Sequence, residues 1–376
     1  MPKTRSNQIK IMLDSGAFSA WGRGEVLDLN DYIQFIKRYQ KLLDTYINLD
    51  VIPGERGTRA SVREVERAAA VSLDNYRSMR AAGLDPIPVF HYGESFGWLD
   101  KLLESGAKYI CLGGTVGLKT PVKRRFLDEC WTALTDRAGR PLVRVHGLGV
   151  TEGQFLMRYP WHSADSTSWC IAPIYGMILV PGMIAGSFSA QIYLGGGNLG
   201  DDKAGRRFER LPASAQEHVL KFAAECGFTI TDLRNDVYAR MAVFVRCLLV
   251  AQAQMGDRFR YRRGGFGAPP TRDLRPVTSN FRMIFAGNVS SNPYLQGVLR
   301  GAGVEHTLRS YYEHLRDPDS FAGYVECLNA ETAYRTAQRK MPRVDWKSMN
   351  YHDHRRRQLA ARGTGEDEEY GAETTT

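Results

Sequence analysis

Six short segments in the first half of the chain each end on a residue that could do chemistry or let a ligand come close. The run at 11–13 stops at Asp14, Ser15 and Gly16; TYINL stops at Asp50; IPVF at His91; YICL at Gly113 and Gly114; LVRV at His146 and Gly147; and HSA at Asp165. A buried strand that delivers a polar side chain as it leaves a sheet has this appearance. Each stop also has an ordinary structural reading. Asp14 before Ser-Gly suits a turn, Asp50 could cap the turn at Pro53, His91 could be a satisfied core histidine, and paired glycines make tight turns. As a set they read as a site. Two carboxylates near one another suit glycosyl chemistry, in which one attacks the anomeric carbon and the other moves a proton. The glycine pair lets a flat ligand approach the backbone. A further aspartate can accept from the donor edge of a guanine-like base.

The elements that must position these residues alternate between short apolar segments and longer stretches of helical period. Strands are expected at about 9–14, 45–51, 87–91, 108–112, 142–146 and 162–165. Helices are expected at 31–43, 61–82, 95–103, 121–135 and 152–157. Ser61 and Glu64 stand at capping-box spacing, Gly83 is a stop, and Pro121 is acceptable at a first helical position. Such alternation predicts parallel strands wrapped by helices, a TIM (β/α)8 barrel, with an open doubly wound sheet as the alternative. In a barrel all six strand ends face one mouth.

Beyond Cys170 the pattern blurs. Residues 171–197, rich in Gly and apolar residues, could hold strand seven plus a loop or a hairpin. Segments 213–226 and 236–255 read as helices, the second apolar nearly all round and therefore buried. Strand eight is placed at 281–285, with 228–230 competing, and 298–315 is expected to be helical. The implied organisation is a barrel domain over 1–315 with an insertion after strand six at 171–275. A helical C-terminal extension at 316–362 and a disordered acidic tail at 363–376 follow.

The 376 residues carry 50 Lys and Arg against 41 Asp and Glu, a formal charge of +9, with 43% hydrophobic composition. That is enough for a large core, and the basic balance favours an anionic partner such as nucleic acid. Cys111, Cys130, Cys170, Cys226, Cys247 and Cys327 form no Cys-x-x-Cys pair and follow no signal peptide, so reduced thiols in a cytoplasmic protein are expected, the host cytoplasm if the source is viral. The longest apolar run, 242–251, is too short to span a bilayer, so no membrane role is expected.

In order, LDSGAFS, NLDVIPG, VFHYGE, CLGGTVG, RVHGLGV and HSADST resemble the tRNA-guanine transglycosylase superfamily, and most closely its DNA-modifying branch, the phage and bacterial DNA 7-deazaguanine transglycosylases. The resemblance spans about 9–165 and rests on the order of short motifs. It implies a barrel enzyme that exchanges guanine for a 7-deazaguanine, with Asp165 as nucleophile and Asp14 handling the proton and the sugar. Asp50 would read the base's amino and imino groups, and Gly113 and Gly114 would contact the base through their backbone. Gly147, Leu148 and Gly149 would close the pocket floor and Ser15 would flank the base. His91 falls where the tRNA enzymes have a glutamine that touches the base carbonyl. Those enzymes also carry a zinc subdomain with clustered cysteines; nothing here has that spacing, Cys226 and Cys247 standing alone. Either zinc is lost or its ligands come from distant positions; loss is the expectation, with no metal and no cofactor.

Nucleic-acid contacts are expected from DRFRYRRGGF at 257–266, where Arg258, Arg260, Arg262 and Arg263 interleave with Phe259, Tyr261 and Phe266. Arginines suit phosphates and aromatics suit unstacked bases. Lys119, Lys123, Arg124 and Arg125, just after strand four, form a second candidate patch. The expected activity is base exchange in DNA, with 7-cyano-7-deazaguanine the expected incoming base and a target guanine that is flipped from a duplex or taken from a single strand. The alternatives are the same chemistry on tRNA, a non-catalytic nucleic-acid-binding barrel, and a carboxylate-pair glycoside hydrolase. Monomer and homodimer both remain open.

Overall fold

A computed structural model describes residues 10–55, 57–58, 60–184, 188–195, 206–255, 261–262, 274–278, 281–286, 294 and 306–310, the last five and residue 286 through their backbone alone. All of them lie within the compact unit Met1–Glu331. The expected extension at 316–362 and tail at 363–376 lie outside the described residues.

The chain enters on β1 (Lys10–Asp14), turns through α1 (Ala17–Gly22) and α2 (Leu29–Tyr39), and returns as β2 (Thr45–Tyr46). Four strand and helix repeats follow: α3 (Val62–Ala81), β3 (Val89–His91), α4 (Phe96–Glu104), β4 (Tyr109–Gly113), α5 (Thr120–Ala133), β5 (Arg144–Gly147), α6 (Gly153–Leu156) and β6 (Ser163–Ser166). α3 starts on the Ser61–Glu64 capping box, with both reciprocal bonds made, and Pro121 sits in the first turn of α5.

After β6 the chain leaves the sheet for α7 (Ser168–Ile174), the antiparallel hairpin of β7 (Met177–Pro181) and β8 (Ser189–Tyr193), then α8 (Ala213–Glu225), α9 (Ile230–Asn235) and α10 (Val237–Met255). α10 packs on α7 and β7 and is buried on nearly every side. Its Arg240 is satisfied by the carbonyls of Pro173, Leu233 and Arg234 at 2.7, 2.8 and 3.1 Å. The sheet resumes with β9 (Arg282–Ala286) and β10 (His306–Ser310).

The result is a mixed α/β structure with an eight-stranded sheet in the order β2-β1-β10-β9-β6-β5-β4-β3, every pair parallel. Next to the two end strands of this order, Ile47, just past β2, makes an isolated parallel bridge with Ile87, ahead of β3, with Asn48 N–H on the Ile87 carbonyl at 2.8 Å and Ile87 N–H on the Tyr46 carbonyl at 2.9 Å.

Period-two alternation sorts each strand onto two faces. Ile11, Leu13, Ile110, Leu112, Val145, Ala164, Met283 and Phe285 join the large core beneath the helices. Met12, Ile47, Ile87, Val89, Cys111 and Ile284 form a separate small cluster on the other face, with Tyr109 and Leu148 against it. Two residues further along the same inner face from Met12, Val89 and Cys111 stand Asp14, His91 and Gly113.

Several expectations are corrected. β2 spans only Thr45–Tyr46, so Asp50 sits in the loop beyond it. Residues 171–197 supply a hairpin, and the seventh and eighth strands of the sheet are β9 and β10. Residues 228–230 lead into α9, whose first residue is Ile230. The helix expected at 298–315 is a strand over His306–Ser310, paired with β1 from Lys10↔His306 to Asp14↔Ser310. A five-residue register against a buried strand overrides a weak local pattern. Among the described residues no helix is long and apolar enough to cross a membrane.

Candidate active site

Gly16, with φ 75°, turns the chain sharply just after Asp14. The turn leaves Asp14 half-buried at the C-terminal edge of β1 and Ser15 fully buried beside it. Ser15 Oγ donates to Asp50 Oδ1 at 3.3 Å and accepts from Ala17 N–H at 3.2 Å. The loop that carries Asp50 is tied to α3, with Val51 N–H on Ser72 Oγ and Asn75 Nδ2 on the Leu49 carbonyl, both at 2.8 Å.

His91, at the end of β3, places Nε2 2.9 Å from Asp50 Oδ2 and Nδ1 3.0 Å from Glu94 Oε1. Burial alone would strip its proton. The hydrogen bonds and charges of Asp50 and Glu94 outweigh that and push the imidazole up to about 10, so it is a cation held between two carboxylates. Gly113 suits the close approach beside it, since a Cβ there would stand 3.1 Å from both His91 Cδ2 and Val89 Cγ1. Gly114, exposed and with φ +70°, presents bare backbone to the rim.

Asp165 ends the inner face of β6. Its Oδ1 accepts from Gly149 N–H at 3.0 Å and from His146 Nε2 at 3.2 Å. Behind His146, Nδ1 lies 2.6 Å from Ser163 Oγ, which lies 2.5 Å from Tyr109 Oη. Gly147 is tightly enclosed: a Cβ there would fall 3.0 Å from Trp161 and from Val150. Leu148 leans over Gly113 and the small cluster.

The fields of these carboxylates overlap. Burial, then the charges of Asp50 and Asp165, raise Asp14 to about 7, against the opposing N–H groups of Gly16 and Ser15. Cys111, on β4 between them, has its thiol pushed well above its ordinary range by burial and by Asp165, Asp14 and Asp50. Asp14, Ser15, Asp50, His91, Gly113, Gly114, His146, Gly147, Leu148 and Asp165 thus come together at one end of the parallel strands.

The predicted nucleic-acid residues divide. Lys119 and Arg124 are exposed at the start of α5, on the rim that carries Gly114, with Arg124 Nη2 donating to Gln154 Oε1 at 2.8 Å. Lys123 turns inward, is 5% exposed, and pairs with Glu152 at 2.5 Å, so it is withdrawn from the patch. Tyr261 is no stacking platform: it is 3% exposed, with Oη donating to the Asp128 backbone carbonyl and carboxylate, both at 3.1 Å. Its N–H bonds Gly139 O at 3.0 Å, in the turn that enters β5, at the end of the strands opposite Asp14 and Asp165. Arg262 is exposed next to it. Arg258, Arg260 and Arg263 lie outside the described residues.

Sequence reasoning missed Glu94, Ser163 and Tyr109. Ser163 could have been found, since two residues before Asp165 on a strand is the same face. Glu94 stands in the VFHYGE motif, but its turn back onto His91 is a tertiary event. Among the described residues no group of three His, Cys, Asp or Glu is arranged to hold a metal ion.

Comparison with family models and with curated proteins finds no match. Among solved structures the chain is similar to the dimeric archaeal Rubisco from Hyperthermus butylicus, at 13% identity and a TM-score of 0.29, over 94% of this chain and 65% of that one. So distant a superposition carries no argument about chemistry.

Proposed function

We propose that this chain is a closed (β/α)8 barrel that exchanges guanine in DNA for a 7-deazaguanine, the 7-cyano form being the expected substrate. Closure is supported by the isolated Ile47–Ile87 bridge between residues flanking the two end strands. The observation that carries the chemistry is the meeting of Asp14, Asp50 and Asp165, with Asp14 raised to about 7 by burial and by the other two. One carboxylate is anchored by donors and one is poised near neutrality, the division of labour that glycosyl exchange requires.

In this reading Asp165 attacks the anomeric carbon. The bond to its oxygen forms as the bond from the anomeric carbon to the base nitrogen breaks. The electron pair leaves on the guanine, which takes its proton from Asp14. The incoming base then gives an N–H proton to Asp14, and its nitrogen displaces Asp165 and restores the carboxylate. Asp50, fixed by Ser15 and His91, accepts from the donor edge of the base, while Gly113 and Gly114 offer backbone to its plane. His91, with both ring nitrogens engaged, contributes charge and position rather than a contact to the base carbonyl. No redox cofactor enters the scheme.

The test is incorporation of labelled 7-cyano-7-deazaguanine into duplex DNA, single-stranded DNA and tRNA, for wild type and Asp165→Asn. Uptake into DNA that the substitution abolishes is expected. Uptake into tRNA alone would move the target to RNA. Uptake that survives Asp165→Asn, or none into any polynucleotide, would overturn the proposal.

A further inference from the structure

The relay behind Asp165 assigns a direction to its two oxygens. His146 is fully buried and Ser163 is 1% exposed, so neither finds partners in bulk water. A carboxylate only accepts, and so the contact from Asp165 Oδ1 to His146 Nε2 needs a proton on that nitrogen. A neutral ring with Nε2–H leaves Nδ1 as an acceptor for the Ser163 hydroxyl, 2.6 Å away. Ser163, having spent its single proton, accepts from Tyr109 Oη at 2.5 Å. Burial pushes the Tyr109 phenol well above its ordinary value and keeps it a donor. With the ring neutral the four groups donate in one direction, towards Asp165; a doubly protonated ring would reverse the bonds of Ser163 and Tyr109.

We propose that His146 is a positioning residue, locked in its Nε2–H tautomer by Ser163 and Tyr109, which with Gly149 N–H ties down Oδ1 of Asp165 and leaves Oδ2 as the attacking oxygen. Among the described residues Oδ2 has no hydrogen-bond partner, whereas Oδ1 has two. Two donors on one oxygen fix the carboxylate plane and draw charge onto that oxygen. The other keeps the free lone pair, aimed along a set line at the sugar. The inference rests on the base-exchange reading and adds to it which oxygen reacts and what aims it.

Two measurements on the full chain test it. Nitrogen-15 spectra of the histidine side chains, assigned with His146→Gln, should show His146 neutral with Nε2 protonated at pH 7, and Ser163→Ala should shift it towards the other tautomer. In single-turnover assays His146→Leu should slow glycosyl-enzyme formation about 10- to 100-fold while base affinity stays within about twofold. His146→Gln, whose amide nitrogen can donate from the same place, should recover most of that loss. An imidazolium or an Nδ1–H tautomer in the wild type would overturn the relay, as would wild-type rates in His146→Leu or equal losses in the Leu and Gln variants. A wild type that forms no glycosyl-enzyme would instead sink the base-exchange reading, with the spectra alone still deciding for or against the relay.

Discussion

Asp50 holds His91 by a 2.9 Å contact between Oδ2 and Nε2, and both side chains are only 9% exposed. With Glu94 on the other ring nitrogen, the histidine is a buried cation at physiological pH. Its pKa of about 10 lies above the 6.5 of the unfolded chain, so the native state binds the extra proton. The stabilisation is complete below about 6.5 and is lost as pH rises through about 10. His91→Gln should cost about 3–5 kcal/mol at pH 6, because it strands two buried carboxylates. Denaturant unfolding of both proteins from pH 6 to 10 should show the gap closing; a constant gap would mean His91 is not charged in the native state.

Asp14 has the same sign at lower pH. Its pKa of about 7 exceeds the 3.8 of an ordinary aspartate, so its contribution to stability is full below about 4 and is lost as pH rises through 7. Asp14→Asn should therefore gain on wild type across that window, by about 3 kcal/mol once partial exposure is allowed for. The same substitution should cost about 100- to 10,000-fold in base exchange. Unfolding curves at pH 4.5 and 8 check the first statement, and single-turnover rates the second. A variant that loses stability at pH 8 would contradict the assignment.

Asp14 also responds to its neighbours. Asp165→Asn or Asp50→Asn removes a charge that raises it, so its pKa should fall from about 7 towards the ordinary carboxylate range. Carbon-13 titration of the Asp14 carboxyl in each variant would read this directly. No movement in either would mean the carboxylates do not share a field.

The parts of the site that are legible in the sequence are those fixed by strand alternation. If 11–13 is a strand, Asp14 has to follow Met12 onto the inner face, and Asp165 likewise lies one step beyond Ser163. β10 is not legible, because HTLRS has one aliphatic residue and becomes a strand through its pairing with β1 and β9. Lys123 and Tyr261 mislead for a related reason. Each is a polar residue in a basic stretch, and only the folded chain brings Glu152 and Asp128 within reach. The charge on His91 is hidden too, since it depends on Asp50, 41 positions away in the chain.

A side chain at Gly113 should crowd the site. A Cβ would sit 3.1 Å from the His91 ring, which Asp50 and Glu94 hold, and from Val89 in the small core. Gly113→Ala should cost about 1–3 kcal/mol, typical of overpacking, and should disturb the His91–Asp50 pair before it unfolds the sheet. Thermal unfolding measures the cost. A shift in the His91 proton resonances at a temperature where the fold is intact would locate it.

Two basic sites make opposite predictions for nucleic acid. Lys119 and Arg124 are exposed on the rim beside Gly114, whereas Arg262 follows Tyr261 at the turn entering β5, at the far end of the strands. Phosphate contacts release counterions, so binding at the carboxylate end should weaken steeply with salt. Changing Lys119 and Arg124 together to Gln should weaken duplex DNA binding and reduce the slope of log affinity against log salt by about one for each phosphate left without its cation. Arg262→Gln should leave both quantities as in wild type. Fluorescence anisotropy at several salt concentrations separates the cases. If Arg262→Gln proved the more damaging change, DNA would be running across the end of the strands remote from Asp165, where no base it carries could reach the proposed nucleophile.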